Sequence, residues 1–173
     1  MPDAITLRPF REDDLPMAEL LRNDPAATEP FGWFGWTDVQ RLRQQWDEGT
    51  FIEEHRGRLV VDRGGQRVGL VSWFQQRLGE SRYWNVGIGL LPEARGHGYG
   101  TQAQRLLVDY LFRHTAAHRI EAETEVDNIA EQRSLEKAGF TREGVRRGVG
   151  FRAGHYRDLV MYSVLRTEVT IPA

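Results

Sequence analysis

Residues 95–101 read Arg-Gly-His-Gly-Tyr-Gly-Thr, with glycine at every second position. Glycines so spaced let the backbone take positive φ and let a ligand approach the main chain closely. The loop separates a hydrophobic run, Val86 to Leu91, from an apolar-periodic segment (Ala103, Leu106, Leu107, Tyr110, Leu111) whose spacing predicts a helix. The first amides of such a helix point outward at the positive end of its dipole, where an anion is favoured. The chemistry these residues suit is capture of a phosphorylated ligand. A Walker A loop would require Gly-Lys-Ser/Thr, yet Gly100 is followed by Thr101 and Gln102; a dinucleotide fingerprint would require Gly-x-Gly-x-x-Gly near the start of a βαβ unit. Neither ATP nor NAD is the expected ligand.

The elements that must position this loop alternate between strand and helix. Ile5 to Pro9 alternates as a first strand does. Asp13 and Asp14 ahead of Leu15-Pro16 predict a capped helix to about Asn23. Pro25 to Gly35 is expected as loop, and Thr37 to Gln40 as a capping box opening a second helix with Val39, Leu42 and Trp46 on one face. Arg58 to Asp62 and Gln66 to Phe74 flank Gly64-Gly65, a hairpin signal. A strand over Arg82 to Leu91 leads into the glycine loop and a helix to about Thr115. A strand (Arg119 to Val126), a helix (Ile129 to Lys137) and two long strands joined through Gly154 (Arg142 to Phe151, His155 to Leu165) complete the chain. Hairpins around one strand-helix-strand unit predict an α/β fold: a mixed sheet with helices on both faces.

The 173 residues are expected to form one domain. No stretch approaches about eighteen consecutive apolar residues, and the N-terminus lacks a basic-then-apolar signal, so a soluble cytoplasmic protein without membrane contact is expected. Absence of cysteine excludes disulfides and thiolate chemistry. No metal is expected, since only His114 and His118 of the five histidines have helical spacing. A net charge of -2 and a pI near 6.2 argue against nucleic acid as a partner. Lys137 is the only lysine among 23 lysines and arginines, which we read as codon usage and not as chemistry.

The segment Val126-Asp-Asn-Ile-Ala-Glu-Gln-Arg-Ser-Leu-Glu-Lys-Ala-Gly-Phe140 follows the glycine loop by about thirty residues. Asn128 stands where a strand ends and a helix begins, and Gly139-Phe140 closes that helix. The pair of blocks resembles the GNAT superfamily of N-acetyltransferases, in particular its RimJ/RimL-like branch, from roughly Ile5 to Arg166. The resemblance implies a mostly antiparallel twisted sheet of about seven strands, splayed between the fourth and fifth. It further implies acetyl-CoA as co-substrate, its pyrophosphate at Arg95, Gly96, His97, Gly98, Tyr99, Gly100 and Thr101. The pantetheine arm would pair with Leu90 and Leu91 and hydrogen-bond Asn128. A backbone amide near Leu90 would then face the developing oxyanion.

At the acid and base the chain departs from the patterns it resembles. Asn85 stands where a glutamate often does, Leu135 where many members carry a tyrosine acid, Glu131 in place of a serine, and Gly150 in place of a glutamate. Glu131 and Ser134 are the candidate catalytic residues, with Glu123, Glu125, Tyr83 and His155 behind them; a water relay ending on a backbone carbonyl is the alternative. Trp33 and Trp36, in the run Phe31-Gly-Trp-Phe-Gly-Trp36, are candidates to roof the acceptor, and Asn85 and His155 to line its site. The expected function is acetylation of a primary amine, leaning to a small amino-acid-like or nucleotide-like compound. Acetylation of a protein N-terminus is the alternative, and a non-catalytic acyl-CoA-binding module is the competing class. A monomer or homodimer is expected.

Overall fold

Alternating apolar residues on β2 (Arg56–Arg63) and β3 (Gln66–Leu78) meet across Gly64 and Gly65, whose φ angles of 58° and 90° suit a tight hairpin turn. The computed structural model describes residues 4–170. Its other strands are β1 (Ile5–Arg8), β4 (Ser81–Leu90), β5 (Arg119–Glu125), β6 (Thr141–Arg152) and β7 (His155–Leu165). The helices are α1 (Leu15–Asn23), α2 (Pro25–Thr28), α3 (Gln40–Asp47), α4 (Tyr99–His114) and α5 (Ile129–Ala138). All seven strands form one sheet in the order β1-β2-β3-β4-β5-β7-β6. Every neighbouring pair is antiparallel except β4 and β5. This is the GNAT fold.

Period-2 alternation sends the two sides of each central strand into different cores. Val71, Trp73, Val86 and Ile120 pack with Leu107, Leu111 and Phe112 of α4 and Leu135 of α5. Val60 packs on the other face with Met17 and Ala18 of α1, Leu42 of α3, Phe10 and Phe51. Helices therefore cover both faces. Among the described residues, no helix is long and apolar enough to cross a membrane.

Three local expectations are corrected. Asp14 is fully buried and does not cap α1 with its side chain; it accepts a bidentate pair from Arg8 (2.7 and 3.0 Å) and the amide of Arg11 (2.8 Å). Thr37 does not cap α3, because its amide and hydroxyl bond Asn23 Oδ1 and its hydroxyl accepts from Arg22 Nε. Asp38 instead accepts from the Gln40 amide (2.9 Å), and Val39 is exposed. Within the expected Pro25 loop, Asp24 accepts from the Ala26 amide and starts the one-turn α2.

Candidate functional site

The parallel ladder between β4 and β5 holds at only two positions, Trp84 opposite Ile120 and Asn85 opposite Glu121. Beyond them Val86–Leu90 and Ala122–Glu125 diverge, which leaves backbone groups of β4 free to pair with something else. The gap opens into a cleft of about 890 Å³, in the upper part of the roughly 300–1,000 Å³ range of ligand sites. Its walls are the two splayed strands, the glycine loop, one face of α5, residues 28–32 with Phe34, and the end of β6.

The glycine loop sits at the head of this cleft. Gly96 and Gly98 have φ of 80° and 76°, and a Cβ on either would meet nothing within 4 Å. The conformation demands glycine, and the space in front of it is open. Gly98 is the N-cap of α4, and the first helical bond runs from the Gln102 amide to Gly98 O (3.2 Å). The amides of Tyr99, Gly100 and Thr101 therefore lie outside the helical ladder. Arg133 and Lys137 project into the same cleft, so Lys137 has a chemical setting that the codon-usage reading missed. A pyrophosphate fits this set of free amides, open glycines and cations.

Asn128 caps α5: its Oδ1 accepts from the Glu131 amide (3.3 Å) while its Nδ2 donates to Thr124 Oγ1 (2.9 Å). One N–H and one lone pair of the amide remain for a ligand. Deeper in the cleft, four polar side chains from α4 and α5 join in a row. Thr101 Oγ1 lies 3.1 Å from Ser134 Oγ, Ser134 bonds Gln104 Oε1 (3.1 Å), and Gln104 Nε2 donates to Glu131 Oε1. Burial pushes the Glu131 carboxyl up to about 7, against the pull of the Gln104 amide. The other acids of the inner cleft face arginines: Glu123 pairs with Arg146 (3.0 Å), and buried Glu125 takes Arg152 on both oxygens.

Of the residues singled out by sequence, Leu90, Arg95, Gly96, Gly98, Tyr99, Gly100, Thr101, Asn128, Glu131 and Ser134 line the cleft, as do Glu123 and Glu125. Arg95 does so in an unexpected way. Its guanidinium donates to the carbonyls of Leu90 (3.2 Å), Glu29 (2.9 Å) and Ala27, strapping the α2 segment to the end of β4. His97 stacks on Tyr99 and stands outside the lining, and Leu91 is turned to the core with its amide on Val68 O. Asn85 sits in the ladder between Phe74 and Glu121, Tyr83 lies opposite Gln76, and His155 begins β7 opposite Arg152; none of the three reaches the wall.

The aromatic run contributes differently from its expected role. Phe31 and Phe34 line the cleft, whereas Trp33 and Trp36 pack edge to face 5.5 Å apart beside it. Arg152 lies 5.7 Å from the Phe31 ring. Sequence reasoning also missed Gln104, Arg133 and Arg152. For Arg133 the signal was present, since 130, 133, 134 and 137 recur at helical spacing.

The sequence model of the acetyltransferase (GNAT) domain family matches residues 4–141. The probable N-acetyltransferase YjcK of Bacillus subtilis is 38% identical over 116 residues, which cover 67% of this chain and 64% of that protein. Among solved structures, spermidine N-acetyltransferase from Vibrio cholerae, in complex with CoA and spermine, superposes with a TM-score of 0.80 at 22% identity, covering 95% of this chain and 96% of that one. RimJ from Mycobacterium smegmatis, in complex with CoA-disulfide, gives 0.79 at 22% identity over 97% and 85% of the two chains.

Proposed function

The chain belongs to the acetyltransferase (GNAT) family, and from that premise we propose that it moves an acetyl group from acetyl-CoA to a primary amine of a small molecule, one domain carrying the whole site. The observation that carries this reading is the splay of β4 from β5 beneath a glycine cradle with three free amides. The two structural neighbours named above hold CoA or its disulfide, which supports the same assignment.

Acetyl-CoA supplies a thioester whose carbonyl carbon the amine attacks as the carbon–sulfur bond breaks. The chain's own residues handle orientation and protons. Gly96, Gly98 and the amides at 99–101 take the pyrophosphate, with Arg133 and Lys137 beside them. The free edge of β4 at Ile88–Leu90 pairs the extended arm, and Asn128 holds it from the far side. Glu131, in the cleft wall, takes the proton from the acceptor's ammonium, and the neutral amine so formed attacks. Ser134 stands one turn further along α5, and its hydroxyl is the proposed hydrogen-bond partner of the departing thiolate, which takes its proton from solvent.

A small acceptor is favoured over a protein N-terminus by the apolar rings of Phe31, Phe34 and Phe151, which line the cleft. Release of thiol from acetyl-CoA, measured with amines, amino acids and peptides in parallel, tests both parts of the reading. Peptides outpacing all free amines would replace the small-molecule acceptor with a protein one.

A further inference from the structure

On the α1 and α3 face of the sheet a second, smaller cavity of about 140 Å³ lies beside the acceptor end of the cleft. Ser72 lines both spaces. It stands opposite Gly87 on β4, where a Cβ would come within 3.4 Å of its hydroxyl, so the floor between the two spaces is bare backbone. Held to roughly 10–15 Å³ per water, the cavity has room for a carboxylate and several waters.

Its charge is unusual. Arg58 extends into it from β2, lies 6.0 Å from the Phe51 ring centroid, and makes one side-chain hydrogen bond, to neutral Gln45 (3.1 Å). Among the described residues no carboxylate pairs with it. Its cationic neighbours are Arg56, already paired with Glu53, and Arg22, which donates to Thr37. Burial and these two charges pull the Arg58 pKa down, as an uncompensated cation requires. A partly buried arginine with a single neutral partner costs stability unless an anion completes its fork. Of the acids lining the cleft, Glu123 and Glu125 are neutralised by Arg146 and Arg152, and Glu29 stands in the wall formed by residues 28–32. The uncompensated guanidinium of Arg58 makes this end of the site suit an acceptor that brings a negative group.

We propose that Arg58, with Ser72, forms an anion subsite for the acceptor, so that the amine acetylated is an amino-acid-like compound bearing a carboxylate; this rests on the acetyltransferase reading of the cleft. The amine would lie over the Gly87 floor while the carboxylate takes the guanidinium fork.

The test is calorimetric binding of N-acetyl amino acids (apolar, aromatic and basic) and of their primary amides to the intact protein, with and without CoA. The acid form of at least one pair is expected to bind ten times or more tighter than its amide. That preference should fall below threefold in Arg58→Gln and be partly kept in Arg58→Lys, both checked for folding by thermal melts. Equal binding of acid and amide, no binding by either, or a preference that survives Arg58→Gln overturns the proposal. Acetyl-CoA affinity of Arg58→Gln is measured alongside: it should match wild type, and its absence in wild type would instead count against the acetyltransferase reading.

Discussion

Thr101 and Ser134 touch through their hydroxyls, 3.1 Å apart, although one lies in the first turn of α4 and the other midway along α5. Through Gln104 the contact continues to Glu131. The N-terminus of α4, which carries the glycine loop, is thereby locked to the helix that carries Glu131, so the proposed phosphate site and the proposed proton acceptor are held at a fixed offset. Such networks act as units, and a change in one member should be felt at the others.

Glu131→Gln should reveal the cost of that buried carboxyl. The group titrates near 4.5 when unperturbed and near 7 when folded. Between those values the folded state holds the extra proton, so stability falls as pH rises from about 4.5 to about 7 and stays reduced above. The glutamine variant escapes this loss. It should be more stable than wild type at about pH 8, by on the order of 2 kcal/mol, with the gap closing near pH 5. Urea melts at both pH values measure it. In kinetics the variant should lose roughly a hundredfold in kcat together with the limb near neutrality; an unchanged rate would hand the proton to a water relay.

Arg95→Ala should free the acceptor roof while leaving the cradle intact. The guanidinium is the tie between the carbonyls of Ala27 and Glu29 and the end of β4. Amide exchange across residues 26–32 is expected to quicken by roughly tenfold or more, the equivalent of about 1.4 kcal/mol of lost protection. Acceptor KM should rise with acetyl-CoA affinity changed by less than about threefold. A selective loss of acetyl-CoA binding would show that the side chain serves the phosphate instead.

Asp14→Asn probes structure alone. The buried carboxylate is held below the ordinary range: burial opposes its charge, but the Arg8 pair and the Arg11 amide outweigh it. Neutralising it leaves Arg8 and Arg67 facing a weak partner, and the expected cost is about 3 kcal/mol. Chemical denaturation reads this directly, and acetyl-CoA binding by the surviving folded protein should be unaltered.

The cradle was legible in sequence because its requirement is local. Gly96 and Gly98 adopt backbone angles that other residues avoid, and the spacing alone declares it. The strands and their hairpins followed from turn residues and alternation, and Glu131 was singled out through the resemblance, by its place three residues after Asn128. What sequence concealed depends on contacts distant along the chain. Asp14 and Thr37 carry the local signature of helix caps, yet each is claimed by partners from elsewhere: Asp14 by Arg8 and Arg67, Thr37 by Asn23 and Arg22. Phe31 and Phe34 could not be told from Trp33 and Trp36 as cleft residues, because an irregular loop has no period that fixes which ring turns inward. Arg95 is an arginine among many until the three carbonyls around it are seen.

The most direct test of the account is calorimetric titration of wild type and Gly98→Val with acetyl-CoA, followed by thiol release and mass analysis of the amine product. Gly98 holds a φ of 76° at the N-cap of α4, and a β-branched residue there is strained by about 1–3 kcal/mol and fills the space in front of the free amides. Wild type should bind one acetyl-CoA per chain, the variant should remain folded but bind at least about tenfold more weakly, and each thiol released by wild type should match one acetylated amine. Folded wild type that takes up no acetyl-CoA, or a folded variant that binds it as well as wild type does, would contradict the account.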